Sequence, residues 1–275
     1  MGRIWSGRRL GMALGAVAVL ASGGLTLSAV AQSSDQASSK PAAPAATPSA
    51  ASPRPAGYLT AAELPDSLVI VGPPPEPGSL RDKADRDAFD ASRALEASPR
   101  WKQAQQDVEL FGDKAHGGLS CATGKTISLA ATPTLSRLLD RVVIDAGSST
   151  NAAKQKYSRV RPPIGNDQPI CVAREDWMRT NGSYPSGHAA AGWAWGLVLA
   201  EIAPDQASAI LTRARDFGDS RWICGVHFQS DVEAGRTMGA ASVARLHANP
   251  AFVADLAAAR AELEKAPTAE GCAAL

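Results

Sequence analysis

Past its first thirty-one residues the sequence lacks any uncharged apolar run of the roughly 18–20 residues that cross a bilayer. The longest candidate, Ala189 to Ala200, is stopped by Glu201 and Pro204. That excludes stable membrane insertion of a processed chain. A basic excess is also missing. Without Arg3, Arg8 and Arg9, 25 Lys and Arg stand against 27 Asp and Glu, a net charge of −2. No nucleic-acid footprint is present. There is no CxxC pair, no zinc-ligand spacing and no internal repeat. No stretch alternates with the period of two that a half-buried strand needs. The fold class expected is therefore all-α, a single helical bundle behind a short proline-rich N-terminal wrap.

What is there begins with a leader. Three arginines precede an uncharged small-apolar stretch, Leu10 to Val30, and Ala29-Val30-Ala31 has the small-x-small form of a cleavage site. Residues 1–31 read as a secretory signal peptide cut after Ala31, with an uncleaved anchor as the lesser alternative. Residues 32–57 are Ala, Pro and Ser with almost no large apolar side chain, too little to offset the entropy of ordering. They read as a disordered linker. Residues 58–275 have the length of one domain. An exported chain with four cysteines, Cys121, Cys171, Cys224 and Cys272, suggests disulfides in any of three connectivities. One or two buried free thiols are the alternative, Cys224 above all.

Helix signals fill the domain. Val69 to Pro77 reads as an extended wrap. Ser79 to Leu110 reads as two helices broken near Ser98-Pro99. Thr132-Pro133 starts a helix expected to run to about Arg159, where Arg161-Pro162-Pro163 must end it. Ser186 starts an apolar helix to Ile202, and Asp205 is expected to cap the next. Ser230-Asp231-Val232-Glu233 has the form of a capping box opening a last core helix. Asn249-Pro250 opens a polar C-terminal one.

Three polar clusters fall at helix ends. If the helix holds nearly to its end, Lys154 and Arg161 lie about two turns apart on one face and reach one small anion. Alone, they equally describe a solvated basic terminus. Pro185-Ser186-Gly187-His188 puts free N–H groups, a capping hydroxyl and a histidine at a helix front, where anions bind. Alone, it is an ordinary serine cap. In Ser220 to Asp231, Arg221 ends a helix and His227 sits in the turn after Gly225. Asp231 is near enough to orient one ring nitrogen, leaving the other as nucleophile. Alone, Asp231 only caps its helix. Taken together, three cations, an N–H cradle and two histidines supply what phosphoryl transfer needs, since its catalysis is mostly positioning and charge stabilisation.

In that order, Lys-x6-Arg-Pro, Pro-Ser-Gly-His and Ser-Arg-x5-His-x3-Asp resemble the signature of the type-2 phosphatidic acid phosphatase and vanadium haloperoxidase superfamily. Gly182-Ser-Tyr-Pro-Ser-Gly-His188 and Cys224-Gly225 look like its bacterial class A nonspecific acid phosphatases. The likeness runs from about Tyr58 to about Asp255. It implies a helical bundle in which His227 attacks phosphorus, Asp231 orients it and His188 protonates the leaving oxygen. Lys154, Arg161, Ser186, Gly187 and Arg221 would hold the phosphate, with no metal and no cofactor. It implies small phosphorylated substrates, a periplasmic or secreted enzyme and, since class A members are commonly dimers, a homodimer. Ala189 stands where the signature usually has Thr, and Pro163 where an aromatic is common.

Other readings of the same anion site are a soluble lipid phosphate or diphosphate phosphatase, a vanadate-dependent haloperoxidase, and an anion-binding module without turnover. The last leaves an oriented His227–Asp231 pair without purpose.

Overall fold

Short polar residues and prolines write the helix starts. In the computed structural model, which describes residues 55–272, eleven α-helices follow one another. The expected leader, residues 1–31, and residues 32–54 of the expected linker lie outside the described residues. The helices are α1 Ser67–Ile70, α2 Leu80–Ser92, α3 Pro99–Gln106, α4 Gly112–Thr123, α5 Pro133–Ser148 and α6 Asn151–Tyr157. Then come α7 Trp177–Thr180, α8 Gly187–Ile202, α9 Ala207–Ile223, α10 Gln229–Leu246 and α11 Pro250–Lys265. Among the described residues there is no strand, only one isolated bridge between Lys125 and Thr268. The protein is all-α. No described helix is long and apolar enough to cross a membrane.

Ser79, Ser98, Ser186 and Asn249 each accept a backbone N–H of the first turn they open, satisfying donors that a helix start leaves over. Pro99, Pro133 and Pro250 occupy the first turn, where no N–H is needed. Four expectations need correction. The helix from Pro133 does not reach Arg159. Ser149 Oγ donates to the Ala146 carbonyl and Thr150 Oγ1 to that of Gly147, each at 2.7 Å, and the chain breaks into α5 and α6 there. The wrap from Val69 is not wholly extended, because Asp66 accepts the Leu68 N–H at 2.8 Å and sets one helical turn ahead of the prolines. Asp205 lies in a 3-10 turn, Pro204–Gln206, and α9 starts after it. Ser230 is not the cap of α10. The helix begins one residue earlier, and Asp231 accepts the Phe228 N–H at 2.8 Å.

Helix α4 carries no strong signal, since Gly117, Gly118 and polar neighbours hide it. Packing overrides that weak propensity: Ala115, Leu119 and Ala122 are buried, and the Arg213 guanidinium lies where a side chain at 118 would stand.

The apolar run behind Ser186-Gly187-His188 is the central helix. An evenly apolar helix is one surrounded by others, and α8 packs on α5, α9 and α10, with α11 outside α5. Trp195 is fully buried and donates its Nε1–H to the Leu139 carbonyl at 3.0 Å. Small residues let the neighbours come close. A Cβ at Gly235 would stand 2.4 Å from the Ser186 carbonyl oxygen, so only glycine lets α10 cross the start of α8 there. The Ser186 N–H accordingly donates to the Asp231 carbonyl at 2.9 Å.

Two disulfides close the framework, Cys121–Cys272 and Cys171–Cys224. Cys224 is thus buried and bonded, and among the described residues no cysteine is free.

Candidate active site

The three clusters meet at one cavity of about 240 Å3. Lys154, Arg161, Gly187, His188, Arg221 and His227 line it, with Leu110, Val143, Ala191, Trp177, Thr150 and Asn181 among the rest of the wall. Arg161 is not helical. After α6 the chain turns at Ser158, φ +42°, and Arg161 arrives in an irregular segment. The shared-face argument for Lys154 and Arg161 therefore fails, while both side chains still reach the same cavity.

His227 stands in the turn between α9 and α10, which Gly225 makes possible at φ +83°. A side chain there would also strike the Arg93 guanidinium, 2.5 Å away. Arg161 Nη1 lies 3.0 Å from His227 Nε2. An arginine only donates, so Nε2 is the ring's lone pair and the proton belongs on Nδ1. His227 Nδ1 is 3.4 Å from Ser183 Oγ and 3.6 Å from Asp231 Oδ2, the latter beyond a hydrogen bond. Burial first, then Arg161, Lys154 and Arg221, hold the His227 imidazolium well below its ordinary range. The neutral imidazole is therefore the favoured form.

Asp231 is buried and occupied. Its Oδ2 accepts Ser183 Oγ–H at 2.5 Å and the Phe228 N–H at 2.8 Å; its Oδ1 accepts Arg159 Nη1 at 2.6 Å. Ser183 and Arg159 were not singled out from the sequence, although both stand inside or beside quoted motifs.

His188, in the first turn of α8, has Nε2 3.0 Å from the Val108 carbonyl, so that nitrogen carries a proton and the neutral ring has its lone pair on Nδ1. Burial, then Arg221, with smaller contributions from Arg161 and Lys154, push its pKa down to about 3. Before substrate binds, it is neutral. Ser186 Oγ is taken up by capping, accepting the Ala189 N–H at 3.3 Å. The Gly187 N–H belongs to the helix start and has no intrahelical partner. A Cβ at 187 would clash with nothing, meeting Thr150 Oγ1 at 3.7 Å and Gly147 Cα at 4.0 Å, so protein packing does not require the glycine.

The cations differ in how they are held. Lys154 Nζ donates to the Gly182 carbonyl at 2.7 Å. Burial, aided by Arg161, pushes its pKa down to about 7 against the pull of Asp231. Arg161 donates to the Asn181 carbonyl, the Val226 carbonyl and Asn181 Oδ1 at 2.8, 3.0 and 3.1 Å. Arg221 is buried, yet its Nε and Nη1 have no partner. Burial pushes its pKa down to about 10, so it stays charged. An unpaired buried guanidinium is costly unless something else pairs with it.

The PAP2 superfamily profile matches residues 130–252. An acid phosphatase of Zymomonas mobilis is 40% identical over 204 residues, 74% of this chain and 77% of that protein. A non-specific acid phosphatase of Providencia stuartii is 40% identical over 210 residues, 76% and 85% of the two chains. One from Salmonella typhimurium is 38% identical over 200 residues, covering 72% and 80%.

Proposed function

We propose that this chain, which belongs to the PAP2 superfamily and is an acid phosphatase, hydrolyses small phosphate monoesters without a metal, through a phosphohistidine on His227. The observation that carries the reading is Arg221, a buried guanidinium with Nε and Nη1 unpartnered, which lines the same cavity as His227. A phosphoryl group is an anion with oxygens enough to pair with Arg221, Arg161, Lys154 and the Gly187 N–H at once.

His227 Nε2 attacks phosphorus and the bond to the ester oxygen breaks. His188 gives that oxygen a proton, which frees the alcohol. Water then attacks phosphorus, the N–P bond breaks, and His188 takes the water's proton. His188 is neutral in the empty site, so the charge of the bound phosphate must raise its proton affinity first. That makes protonation of His188 a consequence of substrate binding. Asp231 acts on the imidazolium-like charge that develops on His227. The three cations stabilise charge on the transferring group, the role that bound metal ions fill in other phosphatases.

The export reading goes with this proposal. Two disulfides fit an oxidising compartment, and we place the enzyme in the periplasm or outside the cell. A homodimer is the assembly proposed. The described part of the chain is expected to act as one catalytic domain. The test is hydrolysis of a nitrophenyl phosphate by chain lacking residues 1–31, with and without EDTA. Full activity in EDTA supports the proposal. Loss in EDTA with recovery on adding one divalent ion contradicts it.

A further inference from the structure

Asp231 does not meet His227 through a short hydrogen bond, and the reason is that its oxygens are already taken. Arg159 is the charged partner. Its Nη1 donates to Asp231 Oδ1 at 2.6 Å and to Ser230 Oγ at 2.8 Å, while Nη2 donates to Asp85 Oδ2 at 2.9 Å. Asp82 Oδ1 is 3.7 Å from the same Nη2. The guanidinium lies over the Phe228 ring, 4.4 Å from its centroid, and its side chain is only 9% exposed. Asp85 in turn accepts the Ser230 N–H at 2.9 Å and the Ser230 hydroxyl. Helix α2 is thereby fastened to the first turn of α10 through one arginine. The Arg159 carbonyl accepts the Ser183 N–H at 2.8 Å, so the same residue also seats the serine that reaches both Asp231 and His227.

We propose that Arg159 is a positioning residue that fixes Asp231 and shares its charge, and so keeps His227 unprotonated and nucleophilic in mild acid. The inference rests on the assignment of His227 as nucleophile. The groups that face this pair are Lys154 from α6, Arg161 from the following segment, His188 from α8, Arg221 from α9, and Asp82 and Asp85 from α2. Arg86 pairs with Asp82, and the Tyr184 hydroxyl is turned to the Val71 carbonyl. Lys154, Arg161 and Arg221 repel a proton on His227. Asp231, 3.6 Å away, is the carboxylate beside the ring that would attract one. An arginine pairing Asp231 weakens that attraction without removing the carboxylate. Only arginine's planar fork serves Asp231 and Asp85 from separate nitrogens; a lysine supplies the charge but not the fork.

The experiment follows His227 by NMR titration of ring protons, assigned with His227→Asn, together with kcat/KM against pH. In Arg159→Gln the ionisation of His227 moves up by about one unit or more, the range for an opposite charge acting within a few ångströms. The acid limb of kcat/KM moves up with it. Arg159→Lys keeps the wild-type acid limb and loses kcat at every pH. If the single Gln variant does not fold, Arg159→Gln with Asp85→Asn removes one charge of each sign and carries the same readout. An unmoved His227 ionisation overturns the proposal, as does an equal, pH-independent loss in the Gln and Lys variants. The NMR reading needs no turnover, so a chain without phosphatase activity would sink the functional assignment while still answering this question.

Discussion

Arg213 and Arg221, about two helix turns apart on α9, are both buried and differ in how their donors are satisfied. Arg213 donates from both Nη1 and Nη2 to Asp107, which also accepts the Ser220 hydroxyl at 2.5 Å. Arg221 has two guanidinium nitrogens with no protein partner. Residue type and burial do not separate them; satisfaction of the donors does. A buried cation whose hydrogen bonds are complete holds the fold. One left incomplete is, in the proposed function, the place for an anion that the protein does not itself supply.

The largest effect should come from the group that this cavity serves. His227→Ala is expected to lose on the order of ten-thousand-fold or more in kcat, since the nucleophile has no substitute. Its circular dichroism and Tm should stay near wild type, because the residue occupies a turn. Substantial residual turnover would place the nucleophile elsewhere.

The two arginines should break in opposite ways. Arg221→Met should cost about a hundred- to a thousand-fold in kcat/KM, the scale for one donor to a developing charge. Its stability should hold or rise, since an uncompensated charge leaves the interior. Arg213→Met strands Asp107 and should cost about 3–5 kcal/mol, seen as a Tm lower by roughly 10 °C. Its folded fraction should keep kcat/KM within a few-fold. Similar losses of stability in both would erase the distinction.

His188→Ala should sort substrates by leaving group. An alkyl phosphate should lose about a hundred- to ten-thousand-fold, and nitrophenyl phosphate far less, because nitrophenolate leaves without a proton. Equal losses would remove His188 as general acid.

A smaller effect should follow pH. The Lys154 pKa in the free enzyme is pushed down to about 7, so its charge is complete below that pH and lost above it. kcat/KM should therefore fall as pH rises through about 7. On the acid side, His227 stays unprotonated because its imidazolium is disfavoured by burial and neighbouring cations. Lys154→Arg, which keeps its charge, should extend activity to higher pH. An unchanged alkaline limb would assign that ionisation to another group.

Much of this was legible in the residues. The starts of α5, α8 and α11 follow from local pattern, and the meeting of three motifs from their combined chemistry and their resemblance to one family. Helix α4 did not, because its glycines make sense only once Arg213 is seen lying on Gly118. The break at Ser149 and Thr150 depends on side-chain hydroxyls choosing carbonyls one turn back, which the periodicity of Leu135 to Ala146 conceals. Within the site, Ser183 sat in the quoted Gly182–His188 stretch and Arg159 between Lys154 and Arg161. No spacing marks them, since their roles come from contacts across 48 and 72 residues to Asp231. Asp85 carries no sequence signal at all; it looks like one more acid on an exposed helix until α2 meets α10.

The central claim is that the cavity transfers a phosphoryl group to His227 before water receives it. Rapid-quench mixing with a phosphorus-labelled aryl phosphate tests it most directly. The account predicts a labelled protein that forms within the first turnover, is stable to base, is lost in acid, and is absent in His227→Ala. Turnover at full rate with no label on the protein, or label that persists in the His227 variant, would contradict it.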